Sequence, residues 1–471
     1  MITTSYEIEI SKRDQHIAEL LERNKELEEE NKRLKELLDN KGKSKESKKP
    51  EFKIDYSVNQ NQVKRKRRHK STGRRRQEQK LNLVSAEEAV YPPTVKPEDC
   101  QPLGQQYAWR IRSGQAEYVC YKLHGLENDP ETPKVPGLRN SRSEYGVEII
   151  LIVAFLHYWI GISLDNVCNV LCFFTGLSLP KSQADSLLNQ LSQDWSEHYD
   201  TIGELLAHQL IIYIDETGWK VGKKSCYTWA FSTAMHVLFR CGVGRGKAEA
   251  QKVIGEKFRG IGVTDDYGAY KYLFNEHQLC WAHLLRKAIK LMLQHPEKQE
   301  YKEFLDELYD IYQQAVRFQK DRRLSASRKA KSQQLQGRIL ELCTRKGEAI
   351  EPEQTPAHEA SFIRLQNELV NELASLFVFV EHPEVEATNN RSERNVRREA
   401  EIRKGGRTSK SNHGAKRRSN IMTVLATLNT RFPKFTLDHL LSEVERWVHE
   451  GRSIFQLELD RLEKANAPPV T

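Results

Sequence analysis

The chain has 471 residues, 30% of them Asp, Glu, Lys or Arg, and a formal net charge of +9. This length suggests roughly three domains and is ample for one substantial core. The longest apolar run, Ile149 to Ile160, contains His157 and is too short to span a bilayer, so it reads as a buried helix and no membrane role is expected. Eight cysteines (Cys100, Cys120, Cys168, Cys172, Cys226, Cys241, Cys280 and Cys343) are scattered, and residues 1 to 40 are charged throughout with no signal peptide. Free thiols in a reducing cytosol are therefore expected rather than a disulfide framework.

Along the chain, residues 7–39 predict a coiled coil. With Ile10, Ile17, Asn24, Asn31 and Leu38 at heptad position a, Leu20, Leu27 and Leu34 fall at d. Leu at d with Asn at some a positions favours a parallel two-stranded coil in fixed register; the alternative is one amphipathic helix packed on its own chain. Residues 40–80 read as a flexible basic linker. Within it, Lys64 to Arg76 holds nine Lys or Arg and no acid, including Lys64, Arg65, Lys66, Arg67 and Arg68. Such charge attracts nucleic acid, although a solvated tail or targeting signal has the same composition. A leucine-zipper transcription factor is disfavoured, because there the basic helix precedes the zipper, whereas here it follows and is broken by Gly73.

Residues 81–200 form a region for which DNA binding is expected. Prolines 92, 93, 97, 102, 130, 133 and 136 leave residues 81–140 without an assigned fold. Residues 143–198 look helical, punctuated by Asp165, Gly176 and Pro180. Ser182 to Gln193 predicts the second helix of a helix-turn-helix-like unit, or a brace on the next domain.

The pattern changes to strands at residue 208, where the first part of a catalytic core is expected to run to 296. LIIYIDET (210–217), CYTWAFST (226–233) and HVLFRCGV (236–243) predict an antiparallel meander. A helix over 247–258, a strand over 260–266 and a strand over 277–283 follow, with a helix beginning near Leu284. Residues 297–383 predict a helical insertion. Residues 384–430 complete the core with a basic helix, Asn389 to Lys404, a loop over 406–414 and a helix over 415–428. Residues 431–471 form a helical tail, with a helix over 437–465. Arg391 to Arg418 holds eleven basic residues against three acids.

This order of elements is that of an α/β ribonuclease-H-like mixed sheet with a helical insertion. In that fold the first and fourth strands are neighbours, so acids at their ends meet. Magnesium takes few carboxylates plus water and phosphate oxygens, and two such ions can drive in-line displacement at phosphorus. Asp215 ends the first strand; Glu216 should face the other side. Asp265 and Asp266 end the fourth, and only one of them can face Asp215. Glu393, in NNRSERNVRR, is either a structural ion-pair member or a metal ligand beside a phosphate-binding surface.

DETGW at 215–219, TDDYGAY at 264–270, CWAH at 280–283, NNRSER at 389–394 and RK at 403–404 together resemble the insertion sequence sixty-six family of transposases. The likeness spans about residues 145–445. It implies an acidic triad of Asp215, Asp265 and Glu393 holding two Mg2+ (or Mn2+) ions, and it selects Asp265 over Asp266. It further implies cleavage that frees a 3′ end of a transposon strand, and joining of that end to target DNA. Arg391, Arg394, Arg397, Arg403 and Lys404 are then expected on phosphates, with His283 either a scissile-strand contact or a brace for its helix. Binding should weaken steeply with salt. Many members carry paired C-x-x-C elements before the core; here only Cys100 and Cys120 occupy that region. Cys280 and His283 make only half a zinc site, so zinc is not expected. Trp219, Trp229 and Trp281 read as core aromatics. Expected partners are transposon-end and target DNA, a second copy through the zipper, and accessory proteins encoded by the element, in the bacterial cytosol at the nucleoid. A transposase-derived DNA-binding protein without catalysis and a nuclease without strand transfer are the rival readings.

Overall fold

The computed structural model describes residues 22, 29, 82–93, 95–126, 133–321, 327–344 and 356–466. The chain divides into one unit of residues 1–75 and another of residues 76–471. The coiled-coil segment 7–39 and the basic segment 40–80, with Lys64, Arg65, Lys66, Arg67 and Arg68, lie outside the described residues apart from Glu22 and Glu29. No helix among the described residues is long and apolar enough to cross a membrane. All eight cysteines are free thiols.

The stretch 81–140, which had no assigned fold, contains a three-stranded sheet. Strands β1 (Ala86–Val90), β2 (Gln101–Arg112) and β3 (Gln115–Gly125) lie in the order β1-β3-β2, with β2 and β3 antiparallel. The hairpin turns on Ser113 and Gly114, at φ 50° and 80°. Two successive positive φ angles are what a two-residue primed turn requires, and Gly supplies one without steric cost. The sheet is tied to the next segment by Arg110, whose Nε lies 2.7 Å from buried Glu148.

Four helices follow. Helix α1 (Val147–Ala154) gives way to a π turn over Phe155–Trp159, so the apolar run is not one α-helix through Ile160. Helix α2 (Leu164–Thr175) is capped by Ser163, which accepts from the Asn166 N–H, and stops at Gly176 in the left-handed region. Helix α3 (Lys181–Asp194) starts after Pro180, and α4 (Ser196–Ala207) leads into the main sheet.

The core is mixed α/β. Strands β4 (Ile211–Val221), β5 (Lys224–Ser232), β6 (Val237–Val243), β7 (Phe258–Thr264) and β8 (Phe274–Leu279) lie in the order β6-β5-β4-β7-β8. The first three are an antiparallel meander; β7 joins β4, and β8 joins β7, in parallel. Helix α5 (Lys247–Ile254) makes the crossover that a parallel connection needs. Its last residue is Ile254, four residues short of the end of the expected helix over 247–258, with Gly255 as its C-cap. Side-chain alternation splits β4 between two cores. Ile212 and Ile214 pack with Leu151, Leu188 and Leu205 on one face, and Tyr213 packs with Val263 and Leu284 on the other.

The expected fifth strand over 277–283 requires correction. The strand ends at Leu279, and helix α6 (Trp281–Gln294) begins at once after Cys280. His283 is thus in the first turn of a helix. Helices α7 (Gln299–Lys320), α8 (Arg328–Thr344) and α9 (Ala357–Asn371) and two single turns, Leu373–Leu376 and Val378–Glu381, fill the segment expected to be a helical insertion. They bury Leu308, Ile311, Ile339, Leu365 and Leu369 against α6 and the second face of the sheet.

Helices α12, α13, α14 and α15 close the fold: Asn390–Lys404, Asn412–Arg431, Leu437–Glu450 and Ile454–Asn466 (the single turns are α10 and α11). The last two replace the continuous helix expected over 437–465, because Gly451 adopts the left-handed conformation and terminates α14. Helix α13 covers the open edge of β6. Its Ser419, Thr423 and Thr427 hydroxyls accept the backbone N–H groups of Cys241, Phe239 and Val237 at 2.9, 2.9 and 3.0 Å. Four helical residues rise about 6 Å, close to the roughly 6.7 Å of two strand residues. That match lets one helix face satisfy an edge that would otherwise present unpaired donors.

Candidate active site

The site lies where the parallel pair β4–β7 opens. Their last registered pair is Tyr213 with Val263, and both side chains join the same core. Asp215 and Asp265 each come two residues later, close enough that the charge of Asp265 acts on Asp215. Asp215 is not at the end of its strand, because β4 continues to Val221 paired with β5 alone. Asp265 follows the last residue of β7 and accepts the Tyr267 N–H at 3.1 Å, which fixes the turn.

The electrostatics follow from burial. Among the described residues, Asp215 accepts only the N–H of Glu216, at 2.9 Å. Its carboxyl is pushed up to about 8, first by burial, then by the negative charges of Glu216, Asp265 and Glu393. Burial also raises Asp265, against the opposing pull of the Tyr267 N–H and His283. Among the described residues, neither forms an ion pair. Glu216, on the opposite parity, accepts from Tyr270 and from Arg245 at 2.9 Å, and burial raises it as well. Asp266 leaves the group: it pairs with Lys287 at 2.5 Å, and Lys287 in turn reaches Glu368.

The NNRSER segment shows how the third acid is delivered. Asn389 Nδ2 donates to the Ile214 carbonyl at 2.7 Å, just beyond the last β7 pair. Ser392 Oγ donates to Ala230 O at 2.9 Å, and Asn395 donates to Ser232 Oγ at 3.0 Å. Three polar residues at spacing three lie along one face of α12 and pin it to β4 and β5. Glu393, in its first turn, is thereby set at the site and directed to α6. Its carboxylate lies 3.7 Å from Cys280 Sγ, 3.5 Å from His283 Nδ1 and 3.1 Å from Arg286.

The arginines expected on phosphates divide by helix face. Arg391 is held by Glu386 at 2.6 Å and by the Thr233 carbonyl, over the Tyr213 ring. Arg403 donates to Gly218 O at 2.6 Å, and a Cβ at Gly218 would lie 2.7 Å from that guanidinium, which would have to shift. Both are therefore engaged by protein acceptors. Arg394, Arg397 and Lys404 are exposed on the other face. Arg394 and Arg397, with Arg398, Arg407, Trp159 and Gly161, line a cavity of about 370 Å³. Arg407 donates to Gly161 O, and Arg398 stacks on Trp159 at 3.6 Å. Arg407, Arg286, Arg245 and Tyr270 were not singled out from sequence; Arg407 lay in the recognised basic stretch, and Tyr270 within TDDYGAY. Trp219, Trp229 and Trp281 are buried core residues.

An α/β protein with half-buried carboxylates at the carboxyl edge of a parallel strand pair, beside a basic helix, is the class this fold and site define. Residues 142–417, more than half of the chain, match the family described as Transposase IS66 family, and the chain belongs to it. No curated protein matches the chain. Membership supports a transposase role, an enzyme of nuclease or transferase type with DNA as partner.

Proposed function

We propose that the chain cuts DNA at transposon ends and joins the freed 3′ ends to target DNA, with Asp215, Asp265 and Glu393 holding two magnesium or manganese ions. The observation that carries this reading is that three carboxylates far apart in sequence share one neighbourhood, the charges of Asp265 and Glu393 both acting on Asp215. The strand order β6-β5-β4-β7-β8, with an antiparallel meander followed by two parallel strands, supports a ribonuclease-H-like core.

The residues fit such ions. Hard divalent cations take oxygen donors, and Asp215 and Asp265 are half-buried oxygen donors that, among the described residues, have no ion-pair partner. Asp215 is pushed up to about 8 because negative charge has been gathered out of water. Asp215, Asp265 and Glu393 would hold the ions, which would supply activation of the attacking oxygen and stabilisation of the leaving one. The chain does the positioning. Two carboxylates ride on a rigid sheet, and the third on a helix pinned to it. Arg394, Arg397, Lys404 and Arg407 take DNA phosphates, a contact that sets register without reading sequence. His283, in the first turn of α6 and 3.5 Å from Glu393, would contact the scissile strand. Residues 7–39 would pair two chains, Lys64–Arg68 would add charge contacts with DNA, and an element-encoded partner would complete the assembly.

The test supplies pre-cut ends carrying a free 3′-hydroxyl with magnesium. The native chain is expected to yield joined product, and Asp265→Ala none. Cutting without joining would indicate a nuclease. End binding without cutting or joining would indicate a DNA-binding protein that has lost catalysis.

A further inference from the structure

The half site of Cys280 and His283 gains a third donor from a residue more than 100 positions downstream. Cys280 Sγ, a ring nitrogen of His283 and a carboxylate oxygen of Glu393 all lie within 4.8 Å of one another. We propose that these three side chains form a site for a thiophilic divalent cation of the zinc class, and that occupancy of this site withdraws Glu393 from the magnesium pair and stops the reaction. The second half of this inference rests on the function proposed above; the first does not.

The donor set argues for the ion. Thiolate, imidazole and carboxylate are zinc ligands, and three protein ligands with a fourth position left to water are a common arrangement. Magnesium and calcium do not select sulfur. Two of the three donor separations come close to tetrahedral geometry, and all three lie within 4.8 Å. Tetrahedral bonds of about 2.0 Å to nitrogen or oxygen and 2.3 Å to sulfur put neighbouring ligands roughly 3.3–3.6 Å apart. The carboxylate oxygen of Glu393 is 3.5 Å from His283 Nδ1 and 3.7 Å from Cys280 Sγ. Cys280 caps α6 and His283 is three residues on, so both face one side of the first turn.

A further feature points to a ligand. His283 Nδ1 is buried and has no hydrogen-bond partner, although it faces the other two donors. Cys280 Sγ accepts the Asn389 N–H at 3.2 Å; burial raises its thiol, so the thiolate would form together with the bound ion. Arg286 also reaches Glu393, but its head is 56% exposed and it contacts the second carboxylate oxygen as well, at 3.4 Å. It can yield the first oxygen and keep the second.

Cobalt(II) is the probe, added to the purified, metal-stripped full chain. Native protein is expected to show a thiolate-to-cobalt absorption band saturating at one ion per chain and erased by zinc. Cys280→Ser should lose that band while keeping the native melting temperature in the absence of metal. Equal absorption by native and Cys280→Ser, or none by either, would overturn the site. A second arm adds zinc to the magnesium-dependent joining assay. Native chain should be inhibited, and Cys280→Ser should resist; equal inhibition of both would overturn the link to Glu393. If no joining occurs at all, the function proposed above has failed, and the cobalt arm still decides the site.

Discussion

Asp215→Asn is expected to make the metal-free protein more stable while removing its activity. The folded-state carboxyl lies near 8, raised from 3.8 chiefly by burial. The native state therefore holds its proton more tightly than the unfolded chain does. Between these two values the metal-free native protein loses stability as pH rises. Asparagine has no proton to release and can still accept the Glu216 N–H. The variant should match the native protein near pH 4 and exceed it by about 2–4 kcal/mol at pH 7 to 8, an order-of-magnitude figure because Glu216 and Asp265 titrate nearby. Magnesium should raise the melting temperature of the native chain, since an ion that binds only the folded state stabilises it, and raise that of the variant much less. Loss of a metal-binding carboxylate should reduce strand cleavage by roughly 10³-fold or more. Thermal unfolding across pH, with and without magnesium, checks this. A variant less stable than native at pH 8 without metal would contradict it.

Glu399→Ala is expected to be among the most destabilising single changes in the core. Glu399 and Arg418 are buried and joined by hydrogen bonds of 2.7 and 2.8 Å. The guanidinium also lies 4.8 Å from the centre of the Trp219 ring. Removing one partner leaves an uncompensated charge out of water, at a cost of about 3–5 kcal/mol. Replacing both, as Glu399→Leu with Arg418→Met, should cost far less, because an apolar pair also avoids desolvating two ions. Urea unfolding of the two single variants and the double variant reads this directly. A loss under about 1 kcal/mol for Glu399→Ala would mean that water reaches the pair. The pair matters to the site because it ties α12, which carries Glu393, to α13, which covers the edge of the sheet.

The central sheet was legible because its strands are apolar, β-branched and bounded by turns, and because acids followed two of them. The early sheet was not assigned. The first five residues of strand β2 are all exposed, so they offer no alternation, and the Ser113-Gly114 turn signal stood among seven prolines. The β8–α6 boundary was misplaced because Cys280 still donates to Thr264 O, as the ladder would, while the next residue already begins a helix. The basic helix was legible as basic, but sequence alone treated its arginines as equivalent. Position on the helix separates them: Arg391 and Arg403 turn to protein carbonyls and Glu386, while Arg394, Arg397 and Lys404 turn outward. The company of Glu393 was not legible at all, since Cys280, His283 and Arg286 lie more than 100 residues away and meet it only through the packing of α12 on β4 and β5.

The most direct measurement is magnesium-dependent cleavage of DNA bearing the element's own terminal repeats, by the native chain and by Asp265→Ala. The expected result is a free 3′-hydroxyl end from the native chain and none from Asp265→Ala, with end binding retained by both. Equal cleavage by the two would contradict the assignment of Asp265 to the metal-binding set.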